Sequence, residues 1–324
     1  MTSKKIFNWG VVGPGKIAQK FVQDLLTLPN ARLHAVASRS LDRAQKFANQ
    51  YHAPHAYGSY DELVNCPELD VVYIATPHSE HCKNTLLLLN HKIPVLCEKP
   101  LGINQVEVQQ MIATARDQQT FLMEALWTRF LPAIKKVIAI IKDGRIGEVL
   151  TVKSDFGFQA DNDPKSRLFD PALAGGALLD IGIYPVFIAT LILGKPDNIK
   201  AIAHKGTTGV DEANAMLLEY SSGKMAVLSS TILYESPTLT EIYGTKGKII
   251  IPGRWHEAKT FLVIDANGEE ESFVFDYPQR GYQAEAAAVM EDLTNNKQEN
   301  KLWSLDNTLD LSILLDQIKA GFSV

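Results

Sequence analysis

The chain has 324 residues, 46% hydrophobic and 21% charged, which is the length of about two domains with apolar material for large cores. Lys plus Arg number 32 and Asp plus Glu 37, a net charge of −5 that argues against bulk nucleic-acid or anionic-membrane binding. The three cysteines, Cys66, Cys82 and Cys97, show no CxxC spacing, so neither a disulfide framework nor a metal site is predicted, and a reducing, cytoplasmic setting fits them.

In chain order, the opening MTSKKIFNWGVVG enters an apolar strand at once and lacks the small-residue cleavage site of a signal peptide. Ile6–Val12 predicts that strand, and Gly15–Leu28 a helix with Ile17, Phe21, Leu25 and Leu28 at three- and four-residue steps. Strands follow at Leu33–Ala37, His55–Tyr57, Val71–Ala75, Val95–Cys97 and Thr120–Ala125, with helices Asp42–Gln50, Tyr60–Val64, Glu80–Asn90 and Asn104–Gln118 between them. Strands apolar throughout and separated by helices predict a doubly wound parallel sheet, a Rossmann-type α/β domain over 1–125.

The second half, 126–324, predicts an α+β domain. A helix over Pro132–Lys142 leads into a strand over Glu148–Phe158, and a helix from about Gly176 to Leu193 follows. The apolar run Ile181–Gly194 is too short for a membrane span of about 18–20 residues. Strands alternate with turns from Ile199 to Phe275, and helices near Gln279–Asn295 and Ser304–Ala320 end the chain. This makes a large, mostly antiparallel open sheet of about seven or eight strands with helices for one face only. Met225, Val227, Leu228, Ile232 and Leu233 are expected on the uncovered face, which predicts a homodimer, or a dimer of dimers, joined sheet to sheet. The alternative is a monomer whose open face carries Lys224, Ser229, Thr231 and Thr240.

Four local patterns bear on chemistry. Gly13-Pro14-Gly15-Lys16-Ile17-Ala18 is a G-x-G-x-x-A turn between a strand and a helix, the setting in which backbone N–H groups cradle a pyrophosphate. At the end of the second strand stand Ser38, Arg39 and, one helical turn on, Arg43, where an NAD-binding chain usually has an acid. A hydroxyl and two guanidinium groups suit a 2′-phosphate, so NADP is predicted over NAD; a solvated basic helix start is the plain alternative. Cys97-Glu98-Lys99-Pro100 lies at a strand's carboxyl end, where ligands sit, although a surface Glu–Lys pair has the same look. Asp180 and Tyr184, four apart after Ala174-Gly175-Gly176, share one face of an otherwise apolar helix. A buried Asp needs a partner or a task. Trp127, Phe156 and Trp255 offer aromatic walls for substrate, with core packing equally open to them.

Together these pieces resemble the glucose–fructose oxidoreductase, inositol dehydrogenase and rhizopine-catabolism family, the Gfo/Idh/MocA family, over essentially the whole chain. Glu98-Lys99-Pro100 and the Gly-Gly…Asp180-x-Gly-x-Tyr184 helix are its most specific motifs. The run Leu122–Pro132 resembles the branch of dimeric dihydrodiol dehydrogenases and NADP-linked D-xylose dehydrogenases. The resemblance implies that Lys99 contacts nicotinamide and substrate, that Asp180 positions substrate, and that Tyr184 is the acid/base where many members have histidine. It also implies that Arg167 reaches the nicotinamide half, and that Thr76, Pro77 and His78 line the cofactor, although His78 often stands as asparagine in the family. The reaction implied is hydride transfer between nicotinamide and a carbinol or carbonyl of a sugar or vicinal diol, with a nearby Lys99 cation favouring the Tyr184 phenolate. A non-catalytic dinucleotide sensor on the same fold is the other class of function, one with no need for Lys99, Asp180 and Tyr184 together.

Overall fold

The computed structural model describes residues 5–161, 163–277 and 279–322, so the first four residues of the opening run lie outside it. The chain divides into two compact units: Met1–Phe130 with Pro278–Leu309, and Leu131–Tyr277 with Asp310–Val324.

In the first unit, β1 (Phe7–Val12), β2 (Ala31–Ala37), β3 (His55–Tyr57), β4 (Val71–Ile74), β5 (Val95–Glu98) and β6 (Leu122–Ala125) form a parallel sheet in the order β3-β2-β1-β4-β5-β6. Helices α1 (Lys16–Leu25), α2 (Leu41–Gln50), α3 (Tyr60–Leu63), α4 (His81–Asn90) and α5 (Gln105–Asp117) connect them. Every residue of β1, β4, β5 and β6 is buried, as a sheet covered on both faces requires. The strand order reverses between β1 and β4, the switch point beyond whose carboxyl ends such sheets bind ligands. Helix α1 stops at Leu25 rather than Leu28 because the chain tightens there: Leu28 N donates to Leu25 O at 3.0 Å and Thr27 Oγ1 to Asp24 O at 2.7 Å.

The units differ from the predicted division at 125 in that residues 278–309 return to the first. Two buried carboxylates hold that segment. Asp24, on α1, accepts from the backbone N–H of Arg280 (3.1 Å), Gly281 (2.8 Å) and Tyr282 (3.0 Å), at the start of α8 (Tyr282–Thr294). Glu124, on β6, accepts from Trp303 Nε1 at 2.9 Å and Thr308 Oγ1 at 3.1 Å.

Glu285, on α8, has no exposed surface, and neither carboxyl oxygen has a hydrogen-bond partner among the described residues. Burial pushes its pKa well above the ordinary carboxylate range, and nearby Glu98 and Asp24 push it further. The folded chain therefore keeps a proton that the unfolded chain gives up above about pH 4.3. Stability from this group is complete below that pH and is lost as pH rises toward the folded pKa. Glu285→Gln keeps shape and neutrality without that loss, so its Tm should exceed wild type by a few degrees at pH 8 and by little near pH 4.5. Thermal melts across that range check this; parallel curves would contradict it.

In the second unit, β7 (Val149–Gly157), β8 (Asn198–Lys205), β9 (Asp211–Glu219), β10 (Met225–Thr231), β11 (Thr240–Gly244), β12 (Gly247–Ile251), β13 (Thr260–Asp265) and β14 (Glu270–Val274) form one sheet, ordered β14-β13-β12-β11-β7-β10-β9-β8. All neighbours are antiparallel except β7 and β10. Helix α6 (Pro132–Lys142) precedes β7, and a π turn (Leu178–Gly182) running into α7 (Ile183–Leu193) packs on β7 and β10. Pro171–Leu193 is long and apolar enough to pass for a membrane span by length and composition, but most of it is buried against this sheet. The last helix, α9 (Leu305–Ala320), closes the chain.

The open face follows strand alternation and corrects the predicted one. Met225 and Val227 are 43% and 46% exposed as expected, and Leu233 39%. Leu228 and Ile232 are buried: Leu228 is one residue out of phase with Val227, and Ile232 packs with Phe169, Ala177 and Ile181. Thr231 and Thr240, assigned to the open side in the monomer alternative, are buried as well. Cross-strand register instead gives the open face a row through Leu217, Val227, Lys153, Glu241, Ile250 and Leu262.

Candidate active site

In the first unit, Gly13 ends β1 at φ +84°, and a Cβ there would lie 3.0 Å from the Ala75 backbone, so only glycine makes this turn. Gly15 precedes α1, whose N-terminus no side chain caps. A Cβ on Gly15 would meet only the Gly13 oxygen, at 4.0 Å. The loop of Gly13, Pro14, Gly15, Lys16 and Ile17 thus leaves first-turn N–H groups and an open approach, which fits a dinucleotide's pyrophosphate. Gly15→Val should therefore weaken dinucleotide binding at least 10-fold, about 1.4 kcal/mol, with little change in Tm, whereas Gly13→Val should lower Tm through strain and collision. Equal effects of the two on Tm would contradict this division.

Ser38 is buried beyond β2, with Ser40 N donating to its Oγ at 3.3 Å, while Arg39 and Arg43 are exposed. No acid occupies the strand end. Thr76 and His78 are buried and Pro77 half-buried. At the end of β5, Glu98 accepts from the Tyr73 hydroxyl and from Lys99 N (3.2 Å), so its carboxylate braces the loop that presents half-buried Lys99. The Lys99–Pro100 bond is cis, and Leu101 N donates to Glu124 Oε1 at 2.9 Å.

Sequence reasoning missed His81, which has no exposed surface. Its Nδ1 lies 2.8 Å from Pro100 O and its Nε2 2.9 Å from Thr76 O, so one ring spans the loops after β4 and β5. Its only sequence signal is a histidine at the first position of α4. Trp127 is 3% exposed and stacks on Tyr282 at 4.4 Å, so within its own unit it packs rather than walls a pocket.

In the second unit, Asp180 sits in the π turn, a feature frequent at functional sites. Gly176 enters it at φ +120°, where a Cβ would fall 2.3 Å from Asp211 Oδ1. Asp211 Oδ2 in turn accepts from Leu178 N at 2.7 Å and Asn214 Nδ2 at 2.9 Å, and burial raises its pKa. Asp180 is 5% exposed and pairs in a bidentate manner with Arg167, Nη1 to Oδ1 at 2.9 Å and Nη2 to Oδ2 at 3.3 Å. The two were expected in separate roles, on substrate and cofactor; the structure pairs them, and the paired Arg167 side chain remains half exposed.

Tyr184 is buried in an aromatic group: Phe156 at 5.6 Å, His256 at 5.5 Å and Trp255 edge-on at 6.4 Å. Phe156 is half-buried and stacks on His256 at 4.2 Å. Trp255 has no exposed surface and donates Nε1 to Asp155 O at 3.0 Å, so it packs behind Tyr184 rather than lining an opening. His256 was missed, although it adjoins Trp255 in sequence. The site on this unit is therefore a phenol and an arginine-paired carboxylate on one apolar helix, backed by aromatic rings.

A Gly-turn Rossmann sheet followed by this helix and open sheet defines a class of nicotinamide-linked oxidoreductase. Residues 7–126 match the model of an oxidoreductase family with an NAD-binding Rossmann fold, and residues 134–250 that of the GFO/IDH/MocA C-terminal domain. Trans-1,2-dihydrobenzene-1,2-diol dehydrogenase of Mus musculus is 41% identical over 82% of this chain and 79% of its own. That of Danio rerio is 39% identical over 98% and 97%. A 3-ketoreductase from Actinomadura kijaniata, solved with NADP and TDP-benzene, superposes with a TM-score of 0.87 at 23% identity, over 98% of each chain. The chain belongs to the Gfo/Idh/MocA family, and it is an NAD(P)-binding oxidoreductase.

Proposed function

We propose that this chain is an NADP-linked dehydrogenase of vicinal diols or sugars, with Tyr184 giving and taking the proton. The observation that carries the reading is that Tyr184 and an arginine-held Asp180 stand four residues apart on one buried run of π turn and helix. The diol class rests on the relatives named dihydrobenzenediol dehydrogenases, and the sugar class on the family resemblance of the sequence. Bound nicotinamide supplies or accepts the hydride.

The chain's own residues have separate tasks. Ser38, Arg39 and Arg43 hold the 2′-phosphate, and the Gly13–Ile17 loop holds the pyrophosphate. Thr76, Pro77 and His78 line the cofactor, and Glu98 orients Lys99 through its bond to Lys99 N. Asp180, its charge fixed by Arg167, accepts a substrate hydroxyl, and Phe156 offers a partly open aromatic face. The Tyr184 phenol protonates the nascent alkoxide during reduction and, as phenolate, removes the hydroxyl proton during oxidation, with the Lys99 cation favouring the phenolate. Its buried surroundings keep competing water away.

The test is a spectrophotometric panel of trans-vicinal diols and aldoses with NADP. Turnover with at least one of the two classes is expected; none with either would refute the reading. A cytoplasmic location belongs to the same reading.

The same reading includes a homodimer or dimer of dimers through the open sheet face, since Met225 and Val227 on β10 and, across β9, Ile202 on β8 expose apolar surface. Light scattering should give at least twice the chain mass of 35.8 kDa. Val227→Glu should shift it toward the monomer, whereas a wild-type monomer would sink the dimer.

A further inference from the structure

One cluster in the first unit lies apart from everything above. His34 on β2, His55 at the start of β3 and Cys66, in the loop before β4, each bring one ligand atom to within 4.8 Å of the others. His34 and Cys66 are buried and His55 is half-buried. His34 Nε2 lies 3.0 Å from the Pro67 carbonyl. A carbonyl only accepts, so Nε2 carries the proton and Nδ1 keeps the lone pair. That Nδ1 is buried with no hydrogen-bond partner among the described residues, a cost that an ordinary core histidine avoids. It is also the tautomer of a metal-bound histidine, which donates its other N–H to a carbonyl or carboxylate. Cys66 Sγ lies 3.6 Å from the same Pro67 carbonyl, to which it donates as a thiol.

We propose that His34, His55 and Cys66 form a zinc site on the N-terminal side of β3 and β4. Two imidazoles and a thiolate are the donor set zinc takes at about 2.0–2.3 Å, which puts ligand atoms about 3.3–3.8 Å apart. The cluster therefore needs to close by about 1 Å at its widest, within reach of side-chain rotation. Zinc replaces the Cys66 thiol proton, which leaves to solvent, and no redox step is involved. Water takes the fourth position. Nucleotide sites of such sheets lie at the strands' carboxyl ends, so the role assigned here is structural: the metal ties β2, β3 and the loop before β4 together. Cysteine spacing hid the site because its ligands come from three separate elements.

The experiment uses the full chain, free of any affinity tag and stripped with a chelator. Zinc is titrated against a chromophoric chelator, and cobalt(II) is added in parallel for its thiolate charge-transfer band. One zinc per chain is expected, at about 10⁻⁶ M or tighter, with the cobalt band present. Cys66→Ser should abolish the band, and Cys66→Ser and His55→Gln should each weaken zinc about 10²-fold. His55 is half-buried, so its variant stays informative if the Cys66 variant fails to fold. Failure to bind one equivalent, a missing cobalt band, or wild-type affinity in His55→Gln would overturn the proposal. None of these readouts depends on dehydrogenase activity, so the catalytic reading stands or falls separately.

Discussion

Tyr184→Phe is expected to lower kcat by roughly 10²–10⁴-fold, the usual worth of a positioned general acid or base, while NADP affinity stays near wild type. The substitution removes one oxygen and keeps the ring that packs against Phe156, Trp255 and His256, so the fold should hold. Because the proton transfer occurs only in the transition state, kcat and kcat/KM should fall together. Asp180→Asn makes a useful contrast. It leaves Arg167 facing an amide instead of a carboxylate, so a loss weighted toward KM is expected there. A Tyr184→Phe enzyme with near wild-type kcat would assign the proton to water or to another residue.

The double variant Arg39→Ala, Arg43→Ala should weaken NADP binding by about 10²-fold and leave NAD binding within a few-fold of wild type. Hydrogen bonds to a charged phosphate are worth about 1.5–3 kcal/mol each, discounted here because both side chains are exposed to solvent. The same change should flatten the salt dependence of NADP binding, since screening acts on the charges it removes. Titration of both cofactors against wild type and variant decides the matter. Equal NAD and NADP affinity in the wild type would contradict the assignment outright.

What the sequence reveals depends on how local each signal is. The Gly13–Ala18 turn, the apolar runs of β1, β4 and β5, and Glu98-Lys99-Pro100 are short contiguous patterns, and each appears where its period or spacing predicts. Asp24 stands within an amphipathic helix yet caps α8 from far along the chain, and hydrophobic periodicity carries no trace of that bond. The return of 278–309 to the first unit was hidden for the same reason. The open sheet face was foreseen as a feature but not in phase: alternation is visible within β10, whereas which alternate residues face α7 is fixed only by packing. That is why Val227 and Leu228 part company.

At the site, Asp180 and Tyr184 were legible because an acid and a phenol stand out in an apolar helix. Residue type alone cannot say whether a tryptophan lines an opening or packs, and Trp127 and Trp255 pack within their own units. The bidentate pairing of Arg167 with Asp180 spans the intervening loop and the tight Gly176 turn, so no local sequence pattern carries it.

The pH dependence of kcat in Tyr184→His tests the account's central claim most directly. Histidine also carries a proton at this position but ionises near pH 6.5 rather than near 10. If residue 184 is the acid/base, the variant keeps measurable turnover, well above that of Tyr184→Phe, and the pH limb set by this residue moves downward. A limb that stays where wild type has it, with the rate merely reduced, would show that the proton moves through another group.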